Sequence, residues 1–450
     1  MAPRGAAAGP ARGDRALERG IEALAGRFLS RFRERVPSPR TVGREAEFTL
    51  VRPDGRAGDS ALLWEPLLEA TGGRPVHDQP APDGSRLLVG VETDRWSCLA
   101  EVGRGTIEVG VGPAPSLGGL ARDLQAALGA ILPVVHGTGQ RLLGYGIQPR
   151  TPPHPGLMTP KRRYLAFLEV VGRSWLRFGL TASDQVHVDA ARDELVPMMN
   201  AINAASGAIV ALTANSSVYG GRAGRFASGR EGLMRRMVPE PFRHGAVPRP
   251  FVDAADYVRW TLGFRCLALP DGRGGFRGPR ATYGEVLRRE GPSFEDWTFH
   301  EHYLWPSGRP RSRLGTLEIR PACQQPGGSF AAAAFEVGLA EAWREVTELL
   351  RDHLGPGWWR AMLAYRARAV RDGVRAREPV PGLLGKLLDV AEAALRRRGF
   401  GEERELEELR ERLERRETPA DRARRAARRG GPARLLRATD LAEDGFGRGG

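Results

Sequence analysis

The sequence predicts an α+β fold, and three observations point to it. Four short segments alternate apolar with acidic, imidazole or other polar residues at a period of two. They are 42–50 (VGREAEFTL), 106–111 (TIEVGV), 185–189 (QVHVD) and 316–321 (TLEIRP). Such segments suit an antiparallel sheet, which can bury one face and leave the other polar. Longer stretches of helical periodicity lie between and after them, which favours α+β over a parallel α/β arrangement.

In order along the chain, residues 1–14 are Ala-, Gly-, Pro- and Arg-rich and are expected to be disordered. Residues 15–35 repeat apolar positions at helical spacing, and Pro37 and Pro39 end them. The first acidic strand follows, then a helix at 61–72 closed by Gly72 and Gly73. Three strand-like pieces come next (LLVGVE, WSCLAEV, TIEVGVGP), with Glu101 and Glu108 on the two arms of a hairpin across a Gly-rich turn. Ser116 is the expected N-cap of a helix at 117–132. Residues 192–217 look helical and largely buried, and further helices are expected at 252–262, 328–354, 356–372 and 382–398. A charged amphipathic helix at 401–430 and a flexible basic tail at 431–450 complete the reading, with 15–430 as one catalytic domain.

Alternation assigns the faces. Ala46, Phe48 and Leu50 oppose Glu45 and Glu47. Ile107, Val109 and Val111 oppose Glu108. Val186 and Val188 oppose Gln185, His187 and Asp189, and Leu317 and Ile319 oppose Glu318 and Arg320. One such strand is what a solvated face looks like. Four of them, side by side, would gather carboxylates and an imidazole on a single wall, where they repel unless cations intervene. Hard cations such as Mg²⁺ take carboxylate oxygens and bridge to nucleotide phosphates.

Composition narrows the classes. The chain has 450 residues, 41% hydrophobic and 27% charged, enough for one large domain or two to three ordinary ones. No run of 18 apolar residues suggests a membrane span. The N-terminus has no continuous apolar segment of the secretory kind. Cys98, Cys266 and Cys323 are scattered, without metal-ligand spacing, and a cytoplasmic location is expected. Net charge is +14, but Lys161 and Lys386 are the only lysines. Arginine with abundant Ala, Gly and Pro fits a GC-rich coding bias better than a nucleic-acid surface, so no specific nucleic acid is expected.

GTGQRLLGYG (137–146) lacks the dinucleotide-binding spacing, and neither a Walker A loop nor a G-x-S-x-G elbow occurs. A paired-carboxylate or metal-dependent hydrolase remains open on these residues alone.

Read together, the G-x-E-x-E-F, T-I-E, V-H-V, A-N-S and L-E-I-R elements resemble, in order, glutamate–cysteine ligase family 2, the plant and proteobacterial type within the carboxylate–amine ligases. Residues 158–164 (MTPKRRY), 335–339 (FEVGL), 399–403 and 418–421 extend the likeness. The resemblance implies a glutamine-synthetase-like funnel, a curved antiparallel sheet with helices packed outside. It implies ATP as co-substrate, with L-glutamate and L-cysteine, and Mg²⁺ or Mn²⁺ held by Glu45, Glu47, Glu101, Glu108, His187 and Glu318. It implies catalytic roles for Arg320 and Arg230, and nucleotide contacts from Lys161, Arg163 and Asn215. Another acid or amine joined on the same fold is the nearest alternative. The chain departs from the family at Ser217, where a proline is usual, at His187, where the plant-like branch has asparagine, and at 321–326 (PACQQP), expected to reach the substrate mouth.

Overall fold

The computed structural model describes residues 12–81, 83–238, 240–273 and 275–442. Most of the expected N-terminal disorder therefore lies outside the described residues. Helix α1 (Arg12–Leu29) begins inside that segment and ends before residue 35. There the chain turns so that Phe32 meets Phe28 edge-on at 5.2 Å, and both rings enter the core.

The main sheet has nine strands: β1 (Val42–Val51), β2 (Arg74–His77), β3 (Leu88–Glu92), β4 (Trp96–Ala100), β5 (Thr106–Ala114), β6 (Arg141–Leu143), β7 (Asp184–Asp189), β8 (Gly308–Arg311) and β9 (Thr316–Ile319). Their order is β8-β9-β7-β1-β5-β4-β3-β2, with β6 on the far end of β1, and all pairings are antiparallel. The sheet is open, not a closed barrel. Every acidic segment thus forms a strand, and the four stand side by side as β9, β7, β1 and β5.

Ala46, Phe48, Leu50, Ile107, Val109, Val186, Val188, Leu317 and Ile319 are all fully buried on one face. Helices α2 (Leu117–Gly137), α3 (Leu195–Thr213) and α4 (Ala331–Glu341) cover that face. Ser116 caps α2 through Gly119 N (3.3 Å), as expected. The 19 residues of α3 are long and apolar enough to cross a membrane, but the helix is wrapped by protein on nearly every side. An all-round apolar helix of this kind is a core helix.

Arg44 and Asp184 are the charged exceptions on the apolar face. The Arg44 guanidinium pairs with Asp184 at 2.7 and 2.8 Å, donates to the carbonyls of Gly328 and Ser329, and lies 4.1 Å from the Phe330 ring centroid. Both side chains of the pair are fully buried. The fork ties β1, β7 and the 328–330 turn together behind the polar wall.

The C-terminal expectations need correction. The segment 328–354 breaks at Ala342 into α4 and a helix Trp343–Leu354. The charged segment 401–430 also splits. Arg416 takes a positive φ, and Thr418 then restarts the chain with a capping box to Asp421. The resulting helix, Pro419–Arg437, kinks at Gly430 and Gly431. Residues 431–442 are no flexible tail, because Leu435, Leu436 and Leu441 are buried and Gly144 N donates to Thr439 O at 2.8 Å. Asp440, also buried, pairs with Arg141 of β6 at 2.7 Å. Residues 443–450 lie outside the described residues.

Candidate active site

Strand register builds the site. Glu47 on β1 stands opposite Glu108 on β5, Glu45 opposite Gln185 on β7, and His187 opposite Glu318 on β9. All point away from the helices. Glu101 follows β4, and its Oε2 accepts from Val102 N at 3.1 Å. Two groups result: Glu45, His187 and Glu318, and Glu47, Glu101 and Glu108. Within each, the ligand-type atoms lie within 4.8 Å of one another.

Their electrostatics differ. Burial pushes the Glu108 carboxyl well above the usual range, and Glu45, Glu101 and Glu47 push it further. Burial and then Glu101 raise Glu47 to about 7, against the pull of Arg230. Glu47 nevertheless accepts from Ser183 N (2.6 Å) and Gln185 Nε2 (2.8 Å), which hold its position. Burial also works against an ionised Glu318, but Arg309, Arg320 and Arg311 overcome it and bring the carboxyl well below the usual range. Arg309 Nε meets Glu318 Oε2 at 2.7 Å, and Arg320 Nη1 donates to Glu318 and to Gln185.

Both groups fit a hard divalent cation. His187 Nε2 is buried and faces Glu45 Oε1 at 3.2 Å, while Nδ1 is fixed at 3.0 Å from Thr316 Oγ1. A nitrogen oriented this way beside two carboxylates suits a metal ligand. Three carboxylates crowded at the other group stay ionised together only when a cation stands among them.

The other expected site residues divide. Arg320 lies on the wall near Glu45 and Glu47. Arg230 is buried within electrostatic reach of Glu47. Lys161, whose Nζ donates to Ala100 O, and Arg163, 3.2 Å from Tyr164 Oη, stand near Glu101. Asn215 does not join them. Its amide nitrogen is spent on Gly144 O and Gln324 O, both at 2.8 Å, in a buried turn. A cavity of 410 Å³ opens at the Glu45–His187 end, lined in part by Thr41, Gly43, Thr93, Trp96 and Ser97. Neither Lys161, Arg163 nor Asn215 lines it.

The 321–326 departure does not reach a substrate mouth. Cys323, Gln324 and Gln325 are almost completely buried. Gln325 donates to Thr213 O at 3.0 Å, and Gln324, with its amide turned to donate, reaches Glu47 O at 2.9 Å. These residues brace the wall from behind. Ser217 likewise packs inward, donating to Ala420 O at 2.6 Å.

Arg309 and Arg311 carry a sequence signal of their own, an R-x-R alternation in the strand that pairs with L-E-I-R. Arg366 and Glu231 had none, since each is a buried charge on a helix.

The description "Glutamate-cysteine ligase family 2" belongs to a family model that matches residues 41–438 of this chain. The chain belongs to glutamate–cysteine ligase family 2. A Rubrobacter xylanophilus protein provisionally named glutamate–cysteine ligase 2-3 is 30% identical over 407 residues, covering 87% of this chain and 94% of that protein. Among solved structures, the glutamate–cysteine ligase of Francisella tularensis in complex with AMP superposes with a TM-score of 0.58 at 11% identity, covering 92% of this chain and 90% of that one. A bifunctional glutathione synthetase from Pasteurella multocida gives 0.50 at 14% identity, over 94% of this chain and 53% of that one. Both likenesses concern the fold. Family membership makes the chain an ATP-dependent ligase.

The raised Glu47 carboxyl would make cation binding at this group pH-dependent. Between its ordinary 4.5 and about 7, the folded protein holds a proton that the unfolded chain has lost. Metal-free stability therefore falls as pH rises through that window, and a bound cation reverses the loss. The rise in melting temperature on adding Mg²⁺ should be larger at about pH 8 than at about pH 5.5. Equal rises at both would remove Glu47 from the candidate cation-binding group.

Proposed function

We propose that this ligase forms γ-glutamylcysteine from L-glutamate, L-cysteine and ATP, through γ-glutamyl phosphate. The observation that supports it best is the pair of clusters on one wall, with Arg320 beside both and a cavity at one end. In this reading ATP enters the cavity, with the Trp96 ring and the hydroxyls of Thr41, Thr93 and Ser97 around it. Glutamate lies toward Glu47 and Glu101, near Lys161 and Arg163, which then serve the acid and not the nucleotide.

A carboxylate is a poor acyl donor because oxide would have to leave. Transfer of the γ-phosphoryl group breaks the P–O bond to ADP and makes an acyl phosphate. The amine of the second amino acid then attacks the acyl carbon, and inorganic phosphate departs. Mg²⁺ or Mn²⁺ held by Glu45, His187 and Glu318, and by Glu47, Glu101 and Glu108, would supply charge neutralisation for the phosphates. The protein's own part is positioning. Gln185 and Ser183 fix Glu47, Glu318 fixes Arg320, and Arg320 meets the negative charge that develops in transfer. No protein nucleophile is needed. A cytoplasmic location belongs to the same proposal and is supported by three buried, unpaired cysteines.

The test is ADP release across amino-acid pairs. Glutamate-dependent release should rise most with cysteine and less with 2-aminobutyrate, since an apolar pocket separates near-isosteres by only about 1–3 kcal/mol. Another amine exceeding cysteine about tenfold in kcat/KM would leave the ligase class and remove the specific reaction. No release with any pair would remove the class of reaction as well.

A further inference from the structure

A second concave surface shares no lining residue with the cavity at Glu45 and His187. It is a groove of adjoining cavities. One, of 280 Å³, is bordered by Arg52, Asp59 and Arg104. The next, of 450 Å³, is bordered by Arg150 and Gly220, and the two share Arg56, Thr151 and His154. A smaller pocket of 100 Å³ continues past Arg150 to Arg222 and to Arg428 on the helix Pro419–Arg437. The loop after β1, the turn between β4 and β5, and the segment after β6 converge here. So does a tight hairpin turn at Gly220 and Gly221, where both glycines take positive φ and an added Cβ would meet nothing.

The groove has six arginines and one carboxylate, Asp59, among its lining residues. That carboxylate is spent. Its Oδ1 accepts from Ala61 N at 3.1 Å, and Oδ2 meets Arg104 Nη1 at 3.2 Å. Asp54, in the loop after β1, reaches Arg56 only at 3.6 Å in an exposed pair, and Arg150 donates to its carbonyl instead of its carboxylate. Among the described residues Arg52, Arg150, Arg222 and Arg428 form no ion pair. Thr151, 7% exposed, accepts from Ala57 N at 2.6 Å, which leaves its hydroxyl proton to donate. The unspent polar capacity is therefore donating, and like charges gathered this way repel unless an anion stands among them. A coding bias toward arginine raises the number of surface arginines. It does not gather six of them around adjoining cavities whose one carboxylate is already paired.

We propose that this groove binds a small polyanion, a molecule carrying two or more phosphate groups, at a site separate from the reaction centre. Two cavities joined at Arg56 and His154 fit two anionic groups, one toward Arg52 and Arg104 and the other toward Arg150. Guanidinium forks take phosphate oxygens two at a time. The volumes are those of a small ligand, whose cavities typically span about 300–1,000 Å³. An occupant sits one turn from the carboxylate wall, because Arg104 lines the groove while Glu101, three residues earlier, belongs to the wall. The site is independent of which amino acids the ligase joins.

The test titrates the full chain with sodium tripolyphosphate in EDTA at about 0.15 M NaCl, followed by calorimetry and melting temperature. Without divalent cations the carboxylate wall repels the probe, so binding reports the groove. Wild type should bind saturably, and its melting temperature should rise. Arg56→Gln and Arg150→Gln should each weaken binding about tenfold. Arg360→Gln, an exposed arginine on the helix Trp358–Asp372, removes the same charge elsewhere and should change it less than about twofold. If Arg150→Gln does not fold, Arg222→Gln takes its place. All these variants should keep wild-type turnover when no polyanion is present. Arms with ATP and with a sugar bisphosphate distinguish a nucleotide from a sugar phosphate, and saturable binding of either that Arg56→Gln weakens supports the site. Equal weakening by Arg360→Gln would show a general field and overturn it. Orthophosphate binding as tightly as tripolyphosphate would leave a single-anion site and overturn the polyanion. A single-stranded oligonucleotide that binds more tightly than tripolyphosphate would make the groove a nucleic-acid surface and overturn the small ligand. No saturation up to about 10 mM probe would overturn the site altogether.

Discussion

Glu108→Gln is expected to lower turnover by on the order of 10²-fold or more, with the metal-free protein melting no lower than wild type. Glu108 is the cleanest probe of the wall. It faces three like charges, and its side chain makes no hydrogen bond among the described residues. Glutamine keeps the shape and removes the charge that a cation needs. It also removes the repulsion among Glu47, Glu101 and Glu108, so the fold without metal gains stability if it changes at all. Activity lost together with the Mg²⁺-dependent rise in melting temperature is the signature of a metal ligand. Glu47→Gln should lose as much activity and also some stability, because an amide nitrogen would face Ser183 N, which donates to Glu47 Oε2. Near-wild-type turnover in both variants would refute the assignment of this group.

Truncation after Gly430 is expected to destabilise the protein by on the order of 5 kcal/mol. It removes Leu435, Leu436 and Leu441, each almost fully buried, and fully burying a leucine contributes about 1.5–3 kcal/mol. It strips the Asp440 partner from Arg141, and it leaves Leu142 O without Leu441 N, its donor at 3.0 Å. Strand β6 then loses its cover, and β6 pairs with the end of the strand that carries Glu45 and Glu47. The melting temperature should fall by roughly 5 °C. An unchanged melting curve would mean that the strap contributes nothing to the fold. Removal of 443–450 alone is the control.

The carboxylate wall was legible in the sequence because strand periodicity is local. A residue's face follows from its neighbours two positions away, so Glu45, Glu47, Glu108, His187 and Glu318 could be placed on one side without knowing how the strands pair. The Gly-rich turn placed Glu101, just past its strand, on the arm opposite Glu108, and order along the chain then matched a family that implies a metal role for both. What the sequence could not supply is register. Whether Glu318 faces His187, or Glu47 faces Glu108, depends on pairings between residues more than fifty positions apart, and a slip of one would reverse every side chain.

Long-range packing also decided where the sequence reading failed. Residues 431–442 have the composition of a solvated tail, yet three leucines and an aspartate find partners on β6 and around it. Asn215 and the 321–326 segment look like site residues by position, but they bond to backbone behind the wall. Glu231, Arg366 and Arg44 are invisible to periodicity, because a charge on a helix or an apolar strand face reads as exposed until its partner is known. By itself the sequence determined which residues share the polar face, and hence the class of chemistry. The tertiary structure alone decided which charges are buried, because burial of a charge depends on a partner that arrives from a distant part of the chain.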